Sequence, residues 1–153
     1  MVIGSTGFNE QQLNTIKQAA TKIPIVKSSN MSVGVNICYK LLATAAKMFD
    51  SNWDISIVDV HHKHKKDSPS GTAKEMAQVL ATSSGKLLDE INIYSERQGE
   101  TIGEHTVTFA SPEEIVMIGH VAESRNIYAT GALTAARWIN EREPGLYTMQ
   151  DVI

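Results

Sequence analysis

Side chains that can carry charge or move protons are concentrated between residues 61 and 66. Three of the five histidines and three of the 14 Lys and Arg residues lie there, although the whole chain has a net charge of −3. Like charges packed together disfavour one another's charged forms, so we predict lowered pKa values for these His and Lys side chains. Such groups can donate or shuttle protons near neutral pH. The stretch is therefore a candidate for acid–base chemistry.

The residues that follow suit the binding of an anion. Ser70-Gly71-Thr72 stands at a predicted helix start, where unpaired backbone N–H groups and the helix dipole favour a carboxylate or phosphate. Gly71 would let the backbone approach a ligand closely, and the two hydroxyls add donors. Together with the basic residues, this describes a site for a small, doubly anionic substrate. The residues alone leave open the alternative of a solvated basic loop followed by an ordinary helix cap.

Two other functions for the histidines and lysines remain open at this point. His62 and His64 share one face if a strand continues through them, and zinc would then need His105, His120 or Cys38 as further ligands. The nearby lysines would repel a dication, so no metal is expected. A basic hexamer can also mark a nucleic-acid surface, but no aromatic residues are interleaved with this one.

Weaker signals occur elsewhere in the chain. Gly4-Ser5-Thr6-Gly7 follows a predicted strand, and such a turn can bring N–H groups to a nucleotide or simply join a strand to a helix. Arg125 could hold an anion or pair with a carboxylate. His105 and His120, near the ends of a predicted hairpin, are interpreted as structural. Five residues are interpreted as fillers of the hydrophobic core: Met31, Met48, Met76, Met117 and Cys38.

Length and composition set the class of protein. The chain has 153 residues, of which 42% are hydrophobic and 20% charged, which suits one globular domain or one domain with part of another. The net charge argues against a generally basic, nucleic-acid-coating surface. No apolar run approaches the ~20 residues of a membrane span. Cys38 alone cannot form an internal disulfide. We expect a cytoplasmic protein.

The predicted elements mix strands and helices. Periodicity and turn residues indicate the following ranges: a strand before Gly4, a helix over 10–21, a short strand over 23–26, a helix over 32–49, a strand over 53–60, a helix from 70 or 72 to 82, a possible strand over 91–94, a hairpin over 105–120 and a helix over 127–140. The spacing of Thr72 and Glu75 predicts a capping box. Residues 148–153 are predicted to form a tail. Within the strand over 53–60, Ile55, Ile57 and Asp59 fall on one side.

Residues 59–73, DVHHKHKKDSPSGTA, carry a specific resemblance. They resemble the signature of the 4-hydroxy-tetrahydrodipicolinate reductase (dihydrodipicolinate reductase) family, in which an acidic residue precedes a His, a Lys, an Asp and Pro-Ser-Gly-Thr-Ala at fixed spacing. That family usually has Glu where this chain has Asp59. Four further segments support the resemblance, which covers essentially the whole chain: 2–8, 32–36, 103–106 and 145–147.

The resemblance implies a reduction in lysine and diaminopimelate biosynthesis, in which hydride passes from NADPH or NADH to a cyclic, unsaturated dicarboxylate. By position in the signature, His61 would be the acid–base residue and Lys65 the proton donor. The carboxylates of the substrate would be bound by six residues: His62, Lys65, Ser70, Gly71, Thr72 and Arg125. The cofactor would be contacted by seven: Gly4, Ser5, Thr6, Ser28, Ser29, Asn30 and Met31.

One part of the family pattern is not found. Members open with a Gly-x-x-Gly-x-x-Gly phosphate-binding turn, and this sequence has none. We therefore expect residues 1–30 to be a remnant of a Rossmann-like parallel-sheet domain, 31–125 to be an α+β substrate-binding and oligomerisation domain with a mixed sheet and helices on one face, and 126–153 to return to the remnant. The resemblance implies a homotetramer. The alternative is a non-enzymatic oligomeric or dicarboxylate-binding protein.

Overall fold

The computed structural model describes all 153 residues and contains seven strands and five α-helices. In chain order these are β1 (Val2–Ile3), α1 (Glu10–Ala20), β2 (Pro24–Lys27), α2 (Val33–Ala46), β3 (Asp54–His61), α3 (Gly71–Ser84), β4 (Asn92–Arg97), β5 (Glu104–Ala110), β6 (Ile115–Val121), α4 (Asn126–Trp138), β7 (Gly145–Tyr147) and α5 (Met149–Val152). No helix is long and apolar enough to cross a membrane. The chain divides into two compact units, residues 1–36 with 126–153 and residues 37–125.

Unit 1, residues 1–36 and 126–153, contains a three-stranded parallel sheet in the order β1-β2-β7. Asn9 caps α1 with a full capping box. The Asn9 side chain accepts from the Gln12 backbone amide, and the Gln12 side chain accepts from the Asn9 backbone amide. The core of this unit is small and apolar, and its buried members are Val26, Met31, Ala135, Ile139 and Met149. Burial of these side chains holds the first and last segments of the chain together.

Unit 2, residues 37–125, contains a mixed four-stranded sheet in the order β4-β3-β5-β6. β3 runs parallel to β4 and antiparallel to β5, and β5 and β6 form the predicted hairpin. Alternate residues of β3 are buried, and so are Met76 and Leu80 on α3. β3 is thus a central strand, and it delivers residues 61–70 to one end of the sheet. The fold is α+β, as predicted.

Three local predictions are wrong. Met48 and Met117 are 80% and 68% exposed, so they do not fill the core, whereas Met31, Met76 and Cys38 are buried. Residues 148–153 are not a simple tail, because Thr148 caps the short helix α5 with its side chain and β7 precedes it. The capping box of Thr72 and Glu75 is also absent, since Ser70 is the cap of α3.

Candidate active site

A buried carboxylate lies near the end of β3. Ile55, Ile57 and Asp59 share the inward face of the strand and are 3%, 0% and 0% exposed. A charge in such a position is costly unless it is paired and hydrogen-bonded. Asp59 therefore requires partners, and the sheet supplies two of them directly, because Ser95 on β4 and His105 on β5 stand opposite it in register.

The two oxygens of the Asp59 carboxylate differ: Oδ2 accepts three hydrogen bonds, whereas Oδ1 has close neighbours but no aligned donor. Oδ2 accepts from the Ser70 backbone amide at 2.9 Å, from Ser95 Oγ at 3.1 Å and from Arg97 Nη2 at 3.1 Å. Oδ1 lies 3.3 Å from His105 Nε2. Burial alone would raise the pKa of Asp59, but the interactions with His105, Ser70 and Arg97 outweigh it and hold this pKa well below its usual range. Asp59 is therefore a fixed negative charge.

His61 lies directly against this charge. Its Nδ1 is 2.9 Å from Asp59 Oδ1, although the two atoms are not aligned as a hydrogen bond, and the residue is only 7% exposed. Its ring meets that of His105 edge-on, with centroids 5.2 Å apart. A Cβ on Gly103 would lie 3.0 Å from His61 Nε2, so only glycine leaves room beside that nitrogen. Asp59 and Gly103 thus confine the imidazole from two sides.

The pKa of His61 is lowered from 6.5 to about 4, chiefly because burial disfavours the charged ring. The negative charge of Asp59 raises this pKa, whereas His105, Lys65 and Arg97 lower it. The lowered pKa of this histidine was predicted, but its main cause is burial and not the crowding of like charges. His61 is therefore a neutral imidazole at pH 7.

This burial predicts that unit 2 loses stability on acidification. Between pH 6.5 and about 4 the unfolded chain binds a proton at His61 and the folded chain does not, so the free energy of unfolding falls by about 3 kcal/mol as pH falls through this window. Trp53 fluorescence in a Trp138→Phe background would report urea unfolding of unit 2. His61→Gln should reduce the slope of the free energy of unfolding against pH. Part of the slope should remain, because burial also lowers the pKa of His120. His64→Gln, at an exposed position, is the control. An unchanged slope in His61→Gln would contradict this interpretation.

The loop after β3 contains two further polar pairs. Lys65 Nζ lies 2.9 Å from Asp67 Oδ1, and this bond lowers the pKa of Asp67. Arg125 Nη2 lies 3.2 Å from His62 Nε2. Two of the predicted anion-binding residues, His62 and Arg125, are therefore neighbours although 63 positions separate them in the chain.

The start of α3 provides the predicted helix terminus. Ser70 is buried; its hydroxyl accepts from the Ala73 amide at 3.1 Å and lies 3.2 Å from His105 Nε2. Gly71, the first residue of the helix, is exposed, and a Cβ there would meet nothing within 4 Å. Ser70 thus fixes the helix start, while Gly71 leaves open space above it.

The predicted cofactor-contacting residues all lie in unit 1. Residues 4–6 follow β1 and residues 28–31 follow β2, and the two strands are parallel neighbours. A Cβ on Gly4 would lie 3.3 Å from the Met31 side chain, so the two segments are adjacent. The carboxyl ends of neighbouring parallel strands are where α/β sheets bind nucleotides.

Sequence reasoning missed five members of the unit 2 site: Asp59, Ser95, Arg97, Gly103 and His105. It interpreted one of them, His105, as structural. The strand predicted over 91–94 continues to Arg97, and that extension places Ser95 and Arg97 opposite Asp59 and His61. The available signal was the need of a buried Asp59 for a cationic partner, but sequence spacing did not show which residue would provide it.

Asp59, His61 and His105 also offer ligand atoms within 4.8 Å of one another, a grouping that could in principle hold a metal ion. The carboxylate already accepts hydrogen bonds from Ser70, Ser95 and Arg97. The guanidinium of Arg97, 3.1 Å from Asp59, opposes a dication. The donor set fits a charge network better than a metal centre.

Comparison with known proteins points to one family. A family model described as "Dihydrodipicolinate reductase, C-terminus" matches residues 34–153, and one described as "Dihydrodipicolinate reductase, N-terminus" matches residues 1–31. A 4-hydroxy-tetrahydrodipicolinate reductase of Syntrophus aciditrophicus (strain SB) is 44% identical over 170 residues, which cover all of this chain and 63% of the relative. The chain therefore spans less than two thirds of that relative's length.

A solved structure shows the same fold. It is described as "Dipicolinate bound Dihydrodipicolinate reductase from Paenisporosarcina sp. TG-14" and has a TM-score of 0.85 and 24% sequence identity, covering 99% of this chain and 64% of that chain. The resemblance carried by residues 59–73 is thus confirmed by the family models, which together match nearly every residue of both units. The chain belongs to the dihydrodipicolinate reductase family.

Proposed function

We propose that this chain contributes the dicarboxylate site and the proton-transfer residues for the reduction of 4-hydroxy-tetrahydrodipicolinate with NADPH or NADH, a step of lysine and diaminopimelate biosynthesis. The observation that carries the proposal is the fixed pair of Asp59 and His61, with Lys65 in the adjoining loop and an open helix start at Gly71. The curated relative has the name of this activity, and the solved relative is described as dipicolinate-bound.

The substrate carboxylates are proposed to bind at the start of α3. Gly71 and Thr72 offer backbone N–H groups at the positive end of the helix dipole. Lys65 and His62 add positive or polar groups from the loop after β3, and Arg125 adds one from the segment after β6. Ser70 remains in the proposed site and holds the helix start, since its amide donates to Asp59 and its hydroxyl accepts from Ala73.

Two residues are proposed to handle protons. His61 is neutral at pH 7 and confined by Asp59, so it can accept a proton when a doubly anionic ligand binds and raises its pKa. Lys65 is proposed to donate the proton that the reduced substrate takes up. The nicotinamide cofactor, when bound, supplies the hydride. The side chains of this chain therefore orient the dicarboxylate and move protons.

Unit 1 fits only part of a dinucleotide. Seven residues at the ends of β1 and β2 are proposed to contact it: Gly4, Ser5, Thr6, Ser28, Ser29, Asn30 and Met31. The sequence contains no Gly-x-x-Gly-x-x-Gly turn to hold the pyrophosphate, and charge-assisted hydrogen bonds are worth about 1.5–3 kcal/mol each. We propose that a polypeptide of these 153 residues alone binds NADH and NADPH weakly and does not turn over substrate. An NADH oxidation assay with enzymatically generated substrate checks this, and turnover typical of a metabolic enzyme would contradict it.

The edge strand β6 is proposed to carry the contacts of a homotetramer. Ile115, Met117 and Val121 are 62%, 68% and 61% exposed on this strand. Clustered exposed apolar residues on an unpaired edge favour association. Light scattering should give a mass several times the 16.8 kDa of one chain.

We also propose a cytoplasmic location, which suits a single buried cysteine.

The test of the dicarboxylate site is calorimetric titration with pyridine-2,6-dicarboxylate. We expect weak binding that decreases as salt is added, because charge attraction dominates it. Lys65→Ala should weaken binding about tenfold or more, since it removes a charged partner of a carboxylate. The matched control is Lys66→Ala, which removes the adjacent, exposed cation. Equal affinity in Lys65→Ala and Lys66→Ala would overturn the proposed site. Dicarboxylate binding without turnover, even when a full nucleotide domain is supplied, would favour the non-enzymatic alternative.

A further inference from the structure

One side chain, Arg97, contacts both Asp59, which lies against His61, and Asp67, which pairs with Lys65. Arg97, at the end of β4, donates through Nη2 to Asp59 Oδ2 at 3.1 Å and to the Asp67 carbonyl at 2.7 Å. Its Nη1 donates to the Asp59 carbonyl at 3.2 Å and to the Glu96 carbonyl at 2.7 Å. One guanidinium thus spans the end of β3 and the far end of the loop that follows it.

These contacts link the two residues that are proposed to handle protons. Asp59 lies against His61 Nδ1 at 2.9 Å, and Asp67 pairs with Lys65 Nζ at 2.9 Å. We propose that Arg97 is a positioning residue that ties the carboxylate holding His61 to the loop segment holding Lys65, and so fixes these two side chains relative to each other. The roles of His61 and Lys65 in this inference rest on the proposed function; the tie itself rests on the contacts of Arg97.

The chemistry of the guanidinium suits this role and that of lysine does not. Arginine presents several donors in a rigid, planar fork, whereas lysine offers one compact ammonium on a flexible stem. The side chain of Arg97 is 17% exposed and that of Asp59 is 0% exposed, so little water is available to replace a lost donor. A lysine at position 97 could neutralise Asp59, but its side chain ends one bond short of the Nη2 position. It also has no second nitrogen to hold the Asp59 and Glu96 carbonyls as Nη1 does, so its ammonium would not be fixed at the Asp67 carbonyl.

Arg97 also balances the charge around His61. Four groups act on this imidazole from the elements packed against it: Asp59 on β3, His105 on β5, Lys65 in the loop and Arg97 on β4. Asp59 and Arg97 are opposite charges of a buried pair, so the charge of Asp59 is balanced beside the His61 ring. If the guanidinium is removed, the attraction of Asp59 for a protonated His61 is opposed only by His105 and Lys65, and the pKa of His61 rises.

Two variants separate the link that Arg97 makes between Asp59 and Asp67 from the effect of its positive charge on His61. Arg97→Lys keeps a cation beside Asp59, so the titration midpoint of His61 should stay close to that of the wild type. Exchange of the hydrogen-bonded loop amides of Lys63 and Lys65 should accelerate about tenfold. Arg97→Gln removes both the link and the charge, so the loop should exchange faster and the titration midpoint of His61 should move to higher pH. The control is Lys63→Gln, which removes a cation of the same loop whose pair with Glu100 is long, at 3.8 Å, and exposed.

The measurements are hydrogen exchange and imidazole NMR titration of the ligand-free protein. Loop exchange in Arg97→Lys that matches the wild type and Lys63→Gln would overturn the tie, and an unshifted His61 midpoint in Arg97→Gln would overturn the charge balance. If Arg97→Gln does not fold, Arg97→Lys carries the test of the tie. Calorimetry with pyridine-2,6-dicarboxylate is run separately on the wild type. A loosened loop in the variants together with no dicarboxylate binding by the wild type would refute the proposed function and leave the tie standing.

Discussion

Asp59→Asn is expected to lower the free energy of unfolding of unit 2 by about 3–5 kcal/mol, the range found when one partner of a buried ion pair is removed. The carboxylate accepts from Ser70, Ser95 and Arg97 at 2.9–3.1 Å and is fully buried. An amide in its place has one oxygen, so its NH2 group faces either these three donors or the ring nitrogens of His61 and His105. It also leaves the Arg97 guanidinium without its charge partner, so the loss exceeds that of a surface carboxylate.

The control for this prediction is Asp54→Asn at the exposed start of the same strand, which should change stability by less than about 0.5 kcal/mol. Urea unfolding followed by Trp53 fluorescence in a Trp138→Phe background measures unit 2 alone, because the chain has one tryptophan in each unit. Equal losses in Asp59→Asn and Asp54→Asn would show that the carboxylate at position 59 is not the centre of the buried network.

Gly131→Ala is expected to destabilise unit 1 by about 3 kcal/mol or more, at or above the upper end of the usual cost of overpacking. Gly131 is buried in α4, and an added Cβ would overlap the backbone carbonyl oxygen of Met31. Backbone cannot move aside as a flexible side chain can, so helix α4 must shift away from the segment that follows β2. The buried core residues Met31 and Ala135 would then lose part of their packing.

The matched control is Gly71→Ala, which adds the same methyl group to a helix glycine with open space around it. Its stability should be unchanged or slightly increased, because alanine favours the helix over glycine. Trp138 fluorescence in a Trp53→Phe background reports unfolding of unit 1 for Gly131→Ala. Trp53 fluorescence in a Trp138→Phe background reports unfolding of unit 2 for Gly71→Ala, and each variant is compared with its own background. If Gly131→Ala were as stable as Gly71→Ala, the close approach of α4 to Met31 would be contradicted.

The sequence predicted those features that depend on local pattern. Alternation of apolar residues placed Ile55, Ile57 and Asp59 on one face of a strand, and the structure buries all three. Turn and cap residues located most helix starts within a few positions, as at Asn9. The signature over residues 59–73 identified the family, because many fixed positions in a short stretch are specific without knowledge of the fold.

Contacts between distant segments could not be predicted in this way. Arg97 reaches Asp59 across 38 positions, and only the parallel pairing of β3 and β4 brings them together. The spacing predicts a start of α3 at Ser70 or Thr72 and a capping box at Thr72. Ser70 is the cap, because its hydroxyl accepts from the Ala73 amide. Met117 was expected in the core, but β6 is an edge strand that leaves this side chain exposed.

The central claim is that the start of α3 and the loop before it bind a cyclic dicarboxylate. The most direct test is amide chemical-shift mapping during titration of the 153-residue chain with pyridine-2,6-dicarboxylate. We predict saturable shifts at His62, Lys65, Gly71, Thr72 and Arg125, which weaken with added salt. Shifts confined to another surface, such as the 260 Å³ cavity lined by Phe49, Ile55 and Lys86 among others, or no shifts at any accessible concentration, would contradict the account.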